Sequence, residues 1–489
     1  MRPTTDDPID VLGKELADRE TELAKAADER LEHEVELACE GIVRRIADIS
    51  DSLRRVRDKQ MKSPQKKMAA LLVDEITRAA DGNLSVPAYS PREKAEQQVD
   101  LFTGCCWQQL GTQAYFDLMN LCCCKAGLMG EDLHDPQFME NVYQQEAFRI
   151  AHERPMATPA GESWVNLQNG TLVLRQSGEM YLREHNREDN LHYVLPYAYD
   201  PAAQCPRWLA FLDRMLPEPE AQAMLAEYLG YCFTHGLKAE KMLVLVGGGS
   251  NGKSVVLEVA ERLFGVGNVS NVTLSGLTTE DIKCAMLEGK LVNISYENSK
   301  ELDANVLKRV VSGEPVTVRR LYKNPYDMRV YAKLIAAYNI LPRAEVTHGY
   351  YRRFIILPFG VTISEEEQDI DLPKKLAEEL PGILNWVLEG LKRYLSTRAF
   401  TKSVVSSNAL AMYKRQSDSV LLFVDECCEQ KDVAGDEGKG LYEQYKRYCE
   451  GDGLKPIGKQ KFFDRLENLG YKRIERQRTS YFNLECRTS

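Results

Sequence analysis

The stretch MLVLVGGGSNGKS, residues 242–254, constrains this chain more than any other. Five apolar residues, Met242 to Val246, have the length and composition of a buried parallel strand. Gly247, Gly248 and Gly249 follow, then Ser250, Asn251 and Gly252, and Lys253-Ser254 completes the pattern GxxxxGK[ST]. Backbone without Cβ atoms can curl its amides round a phosphate, and the helix start that comes next carries partial positive charge. In such a loop the lysine reaches the β- and γ-phosphates and the serine hydroxyl binds Mg²⁺. Strand, loop and helix signals coincide as the motif requires, so a glycine-rich turn that binds nothing is the poorer reading. The expectation is an ATP site with Mg²⁺ as its metal.

At 489 residues the chain is too long for one core and predicts several domains. No apolar run approaches the ~20 residues of a membrane span, and MRPTTDDPID lacks the apolar segment of a signal peptide. A cytoplasmic protein, with no membrane partner, is expected. Thirteen cysteines then read as reduced thiols. Cys105-Cys106 and Cys122-Cys123-Cys124 lack the C-x₂-C spacing of a zinc knuckle and read as small buried hydrophobes. A net charge of −10 excludes a uniformly basic coat, so any nucleic-acid contact must come from local patches.

Four units are expected. Residues 1–80 form a helical region, with Val35, Ala38, Ile42, Ile46, Ile49, Leu53 and Val56 stepping by three or four. It either packs on its own domain or serves as a coiled-coil arm. Residues 81–235 form a helical and β unit: 93–155 read as helical, VNLQNGTLVL as a hairpin turning at Asn169-Gly170, and Trp208 to Phe233 as two helices. Residues 236–400 form the nucleotide-binding domain. Thr401 to Ser419 reads as a polar linker. Residues 415–489 then give three helices and a basic two-stranded wing, the order of a winged helix, where Lys459, Lys461 and Arg465 are candidates to face duplex DNA.

Downstream of the loop, a second apolar strand delivers Glu297. A carboxylate there can order Mg²⁺, beside Ser254, or polarise the attacking water. A third strand ends in Tyr338-Asn339, whose amide can donate to a γ-phosphate and accept from the lytic water. Arg352-Arg353 precede another apolar run, and a fixed guanidinium there suits the transferring phosphoryl group, although one of the pair could make a structural salt bridge. Between Glu297 and Asn339, LKRVVSGEPVTVRRLYKNPY gathers Lys308, Arg319, Arg320 and Lys323 with Tyr322 and Tyr326. A basic hairpin with aromatics suits single-stranded nucleic acid; a solvated basic face is the competing reading.

In this order, GGGSNGKS, the strand ending in Glu297, LKRVVSGEPVTVRRLY, KLIAAYNILPR and YYRRFIILPF resemble a superfamily 3 helicase domain, in the phage/plasmid primase-helicase branch that includes poxvirus relatives. The resemblance covers about residues 95–489. It implies a multidomain α/β protein with an AAA+-like P-loop core, a helical N-terminal region and a C-terminal winged helix. It further implies a homo-oligomer, a hexameric ring moving 3′ to 5′ on single-stranded DNA, with ATP bound between subunits. Glu297 would then be the catalytic base, Asn339 the sensor and Arg352 or Arg353 the finger.

Two departures stand out. Tyr296, not a second acid, precedes Glu297. Residues 1–155 also look helical and too short for the primase domain such proteins often carry, so primer synthesis is not expected, and a separate primase is a candidate partner. The chain reads as a replicative helicase of a phage, prophage or plasmid, acting on single-stranded and forked DNA in a bacterial host. The alternatives are an origin-binding initiator in which ATP sets only oligomeric state, and an NTPase that packages or remodels nucleic acid.

Overall fold

The computed structural model describes residues 32–58, 63–86, 99–128, 130–151, 158–159, 161–234, 237–297, 303–321, 324–342, 348–433, 435–454, 456–476 and 479–487. Its centre is a parallel sheet of β1 (Met242–Val246), β2 (Val269–Ser270), β3 (Val292–Glu297), β4 (Lys333–Tyr338) and β5 (Phe354–Pro358), in the order β5-β1-β4-β3-β2. β1, β4 and β5 are nearly all apolar because both faces of the sheet are covered, whereas β3 carries the buried polar Asn293 and Ser295. Leu243, Leu245, Ile335, Ala337, Ile355 and Leu357 face a core built with helices Pro206–Met215, Pro219–Tyr231, α1 (Lys253–Phe264) and Leu380–Thr397. Met242, Val244, Leu334, Ala336 and Ile356 face a second core, closed by helix Ala304–Val311 and the hairpin Pro315–Val318/Tyr326–Arg329.

The expected boundaries at 80/81 and 235/236 do not separate cores. Ile42, Ile46 and Leu53 are buried with Leu72, Ile76, Val99, Leu118 and Val142, so residues 32–151 share one core. The helices over 32–58 therefore pack on their own domain, while residues 1–31 lie outside those described. Likewise Leu172, Trp208 and Tyr228 belong to the same core as β1, so the segment from 161 to 234 is continuous with the sheet.

Three local expectations are corrected. Residues 93–155 are not all helical: Val99–Phe102 and Trp107–Leu110 form a hairpin that extends Leu84–Ser85 into a three-stranded sheet. The turn of VNLQNGTLVL falls one residue earlier, at Gln168-Asn169, because Leu167 pairs with Gly170. Gly170 is needed for a different reason: at φ 145°, a Cβ there would come within 2.3 Å of Arg183 O on the third strand. Finally, the polar stretch 401–419 is largely helix Val404–Ser417 rather than linker. Ser403 caps it through Ser406 N, and Glu218 accepts from Ser403 Oγ (2.7 Å), Val404 N (2.7 Å) and Val405 N (3.2 Å). Tyr413 carries this helix into the second core.

The last unit has helices Ser419–Cys427, Gly438–Gly451 and Lys459–Asn468, then the hairpin Arg473–Arg476/Thr479–Phe482, around Phe423, Tyr445, Phe462 and Phe482. An additional pair, Cys428–Gln430 with Leu484–Cys486, ties its end back to its start. All thirteen cysteines are free thiols, and Cys122 and Cys123 are buried. Among the described residues, no His/Cys/Asp/Glu group is placed to hold a metal and no helix is long and apolar enough to cross a membrane.

Candidate nucleotide site at the carboxyl edge of the sheet

Parallel strands aim their carboxyl ends at one edge, and the crevice lies where strand order reverses. Here β1 has β5 on one side and β4 on the other, so the loop leaving β1 emerges at the reversal. Tyr338 pairs with Val246 on one flank and with Glu297 on the other. The phosphate loop, Asn339 and Glu297 therefore leave three adjacent strands at one level. The side chain of Glu297 lies outside the described residues.

The loop winds back on itself through Ser250 (φ 54°) and Gly252 (φ 77°) before α1 begins at Lys253. Its glycines do different work. A Cβ on Gly247 would lie 2.2 Å from both Asn251 Nδ2 and Phe359 O, whereas Gly248 and Gly249 face open space. Gly252 abuts Phe211 and Met215 from helix Pro206–Met215. The first-turn amides of α1 have no acceptor within the helix, so they remain available to an anion at this end. The Ser254 hydroxyl sits exposed at the same turn.

Lys253 is only 7% exposed. The three N–H groups of its ammonium share four oxygens, Gly247 O (2.7 Å), Gly248 O (2.9 Å), Asn251 Oδ1 (2.9 Å) and, longest, Asn339 Oδ1 (3.3 Å). Desolvation draws its pKa below the usual lysine value. The cation thus stands in a cradle of neutral oxygens, between the loop and the residue that closes β4. Those acceptors are weaker partners than phosphate oxygens, so the cation is poised to exchange them for an anion. Residues 247–254 fit a nucleotide triphosphate with a Ser254-bound Mg²⁺.

The arginines occupy the opposite edge. Arg353 O accepts from Met242 N at 2.7 Å, level with the start of β1. Five residues of strand, about 17 Å, separate that level from the loop. Arg353 is 8% exposed, and its guanidinium is held by Ser312 Oγ (2.7 and 3.1 Å) and Gly349 O, with Glu240 Oε2 at 3.7 Å. Arg352 is half exposed and, among the described residues, its side chain pairs with Glu240 at 2.5 Å on the surface. On the same edge a cleft of about 200 Å³ is lined by Lys238, Lys241, Arg329 and Lys333. The Lys333 ammonium stands 4.8 Å from the Tyr231 ring and 5.0 Å from that of Tyr331, and burial pushes its pKa down to about 8.

The residues expected to meet DNA do not form one cluster. Lys308 is on helix Ala304–Val311, off the hairpin, and half-buried. Arg319 is exposed near the turn, and Lys323 lies outside the described residues. Arg320 binds Glu288 at 2.8 Å and stands over Tyr326, whose hydroxyl donates to the same carboxylate at 2.6 Å. Val316, Val318 and Met328 bury one face of the hairpin. In the last unit, Lys459 and Lys461 are exposed. Arg465 is partly exposed, and its fork holds Asp418 Oδ2 at 2.7 and 2.5 Å.

Known proteins match in the same order. Residues 99–217 match a family described as D5 N terminal like, residues 245–353 a family of unknown function, and residues 415–483 a family described as poxvirus D5 protein-like. An African swine fever virus protein provisionally named a primase, C962R, is 28% identical over 236 residues, 45% of this chain. An Acanthamoeba polyphaga mimivirus protein provisionally named a helicase, L207/L206, is 24% identical over 195 residues, 38% of this chain. The matched stretch spans 24% and 20% of those relatives' own length. Among solved structures, the apo NrS-1 C terminal region aligns at a TM-score of 0.45 and 12% identity, covering 86% of this chain and 99% of that one. That likeness is too distant to bear on the fold. The ordered D5-like segments and the two viral relatives fit the primase-helicase family.

Proposed function

We propose that the chain is an ATP-driven DNA helicase of the superfamily 3 type, working as a ring with its nucleotide sites shared between copies. The observation that carries this reading is the separation of Arg352 from its own phosphate loop. A finger at the amino edge of the sheet can serve only a site presented by another copy. A repeated carboxyl-edge-to-amino-edge contact is heterologous, and heterologous contacts that close make rings. The basic cleft beside Arg352 supports it, since a polyphosphate would meet Lys238, Lys241 and Lys333 there.

In this reading Lys253 and the α1 amides bind the triphosphate, and Ser254 holds a Mg²⁺ that offsets charge on its oxygens. Glu297 takes a proton from the lytic water, Asn339 orients that water or the γ-phosphate, and Arg352 of the next copy stabilises the transition state. Arg319 at the hairpin turn contacts single-stranded DNA phosphates. The DNA is that of a mobile element such as a phage, prophage or plasmid, and any primase acts as a separate partner. Lys253→Ala tests the site: ATP turnover on single-stranded DNA should vanish, and turnover that survives assigns hydrolysis elsewhere. The exposed Lys459 and Lys461 favour a second reading, an ATP-regulated origin-binding initiator. Strand displacement on a forked substrate separates the two.

A further inference from the structure

Asn251 sits inside the phosphate loop, yet its side chain turns away from the open side of it. It is 4% exposed, with its oxygen accepting from Lys253 Nζ at 2.9 Å and its nitrogen donating to Phe359 O at 3.1 Å. Phe359 immediately follows β5, and its own amide donates to Val246 O at 2.7 Å. Gly247 makes this possible, since any Cβ would occupy the space between the amide and that carbonyl. A second tie, Ile363 N to Ser250 O at 2.8 Å, fixes the loop to the same post-β5 segment. The loop is therefore joined to β5 through a buried amide with both hydrogen-bonding ends satisfied. At the far end of β5, two residues before it starts, stands Arg352.

We propose that Asn251 is a positioning residue that couples Lys253 to β5, and through β5 to the Arg352 that the same copy offers its neighbour. The proposal rests on the shared-site reading and adds a direction to it: each copy's finger responds to its own phosphate loop. Phosphate drawing Lys253 off Asn251 Oδ1 changes the load on the amide, and the Nδ2 bond passes this to the end of a strand paired residue for residue with β1. Within the joint Asn251 touches no reacting atom; it acts through Lys253 and β5.

The test uses mixtures of full-length chains in which the only whole sites take their finger from a copy whose own site lacks Glu297. Glu297→Gln mixed with Arg352→Ala leaves Lys253 and the Asn251–Phe359 joint intact in the finger donor. The double variant Glu297→Gln/Asn251→Ala mixed with Arg352→Ala breaks the joint. Both mixtures should hydrolyse ATP, the second about fivefold less, the low end of coupling between linked sites. Asn251→Asp in the same donor, which keeps an acceptor for Lys253 but cannot donate to Phe359 O, should behave as Asn251→Ala does. Circular-dichroism melting of each variant checks that folding is retained. Equal recovery in the two mixtures, or full recovery with Asn251→Asp, overturns the coupling while leaving the shared site standing. No recovery with Glu297→Gln alone as donor overturns the shared site and the coupling with it.

Discussion

Glu146 and Lys253 are ionisable groups buried in different settings. Glu146 is fully buried on helix Pro136–Arg149, one carboxyl oxygen without a partner, and burial pushes its pKa up to about 7. Thr77 has one hydroxyl proton and two acceptors in reach, Val73 O at 2.8 Å and Glu146 Oε2 at 2.9 Å. A protonated Glu146 resolves the conflict by donating to the Thr77 oxygen. The folded pKa lies above the unfolded one, so the folded state holds a proton the unfolded chain has lost. The stability this gives is complete below the unfolded value of about 4.3 and is lost as pH rises to about 7, roughly 4 kcal/mol in all. Glu146→Gln, which donates at any pH, should melt higher than the parent at pH 8, with the gap narrowing steadily toward pH 5 and closing below the unfolded value. Parallel melting of the two across that range would refute the assignment. The loop around Lys253 was legible because its residues are contiguous. Asn251's partner Phe359 is 108 positions away, and nothing local marks it.

Elements were legible where they are long or strongly patterned, as with four of the five sheet strands; the two-residue Val269–Ser270 carries no pattern of its own. They were missed where tertiary partners decide. Val99–Phe102 and Trp107–Leu110 are four residues each, too short to show a period. Helix Val404–Ser417 looks like linker because its start is completed by Glu218, remote in sequence. Glu218→Ala should therefore cost about 1–2 kcal/mol, typical of a lost helix cap, read by chemical denaturation. No change would mean that Ser403 caps alone.

The last unit separates two roles the sequence merged. Asp418 caps helix Ser419–Cys427 through Val420 N and Leu421 N while holding Arg465. Arg465→Ala should lower that unit's melting temperature and leave the salt dependence of DNA binding alone. Lys459→Ala and Lys461→Ala should each weaken duplex binding and reduce the salt slope by about one, with stability unchanged. A DNA defect confined to a folded Arg465→Ala would reverse this assignment.

For the whole molecule, the parallel sheet places what would bind ATP at one edge and what would assist a neighbour at the other. Linear spacing could not separate Arg352 from Arg353; burial does, giving Arg353 to Ser312 and Gly349 and leaving Arg352 at the surface. The central claim is that one hydrolytic site takes residues from two copies. ATP turnover in an equal mixture of Glu297→Gln and Arg352→Ala chains tests it most directly. Each variant alone should be inactive. With random mixing, about a quarter of the sites regain both residues from a heterologous contact, and turnover should approach that share of the parent's. A mixture as inactive as its components would contradict the shared site.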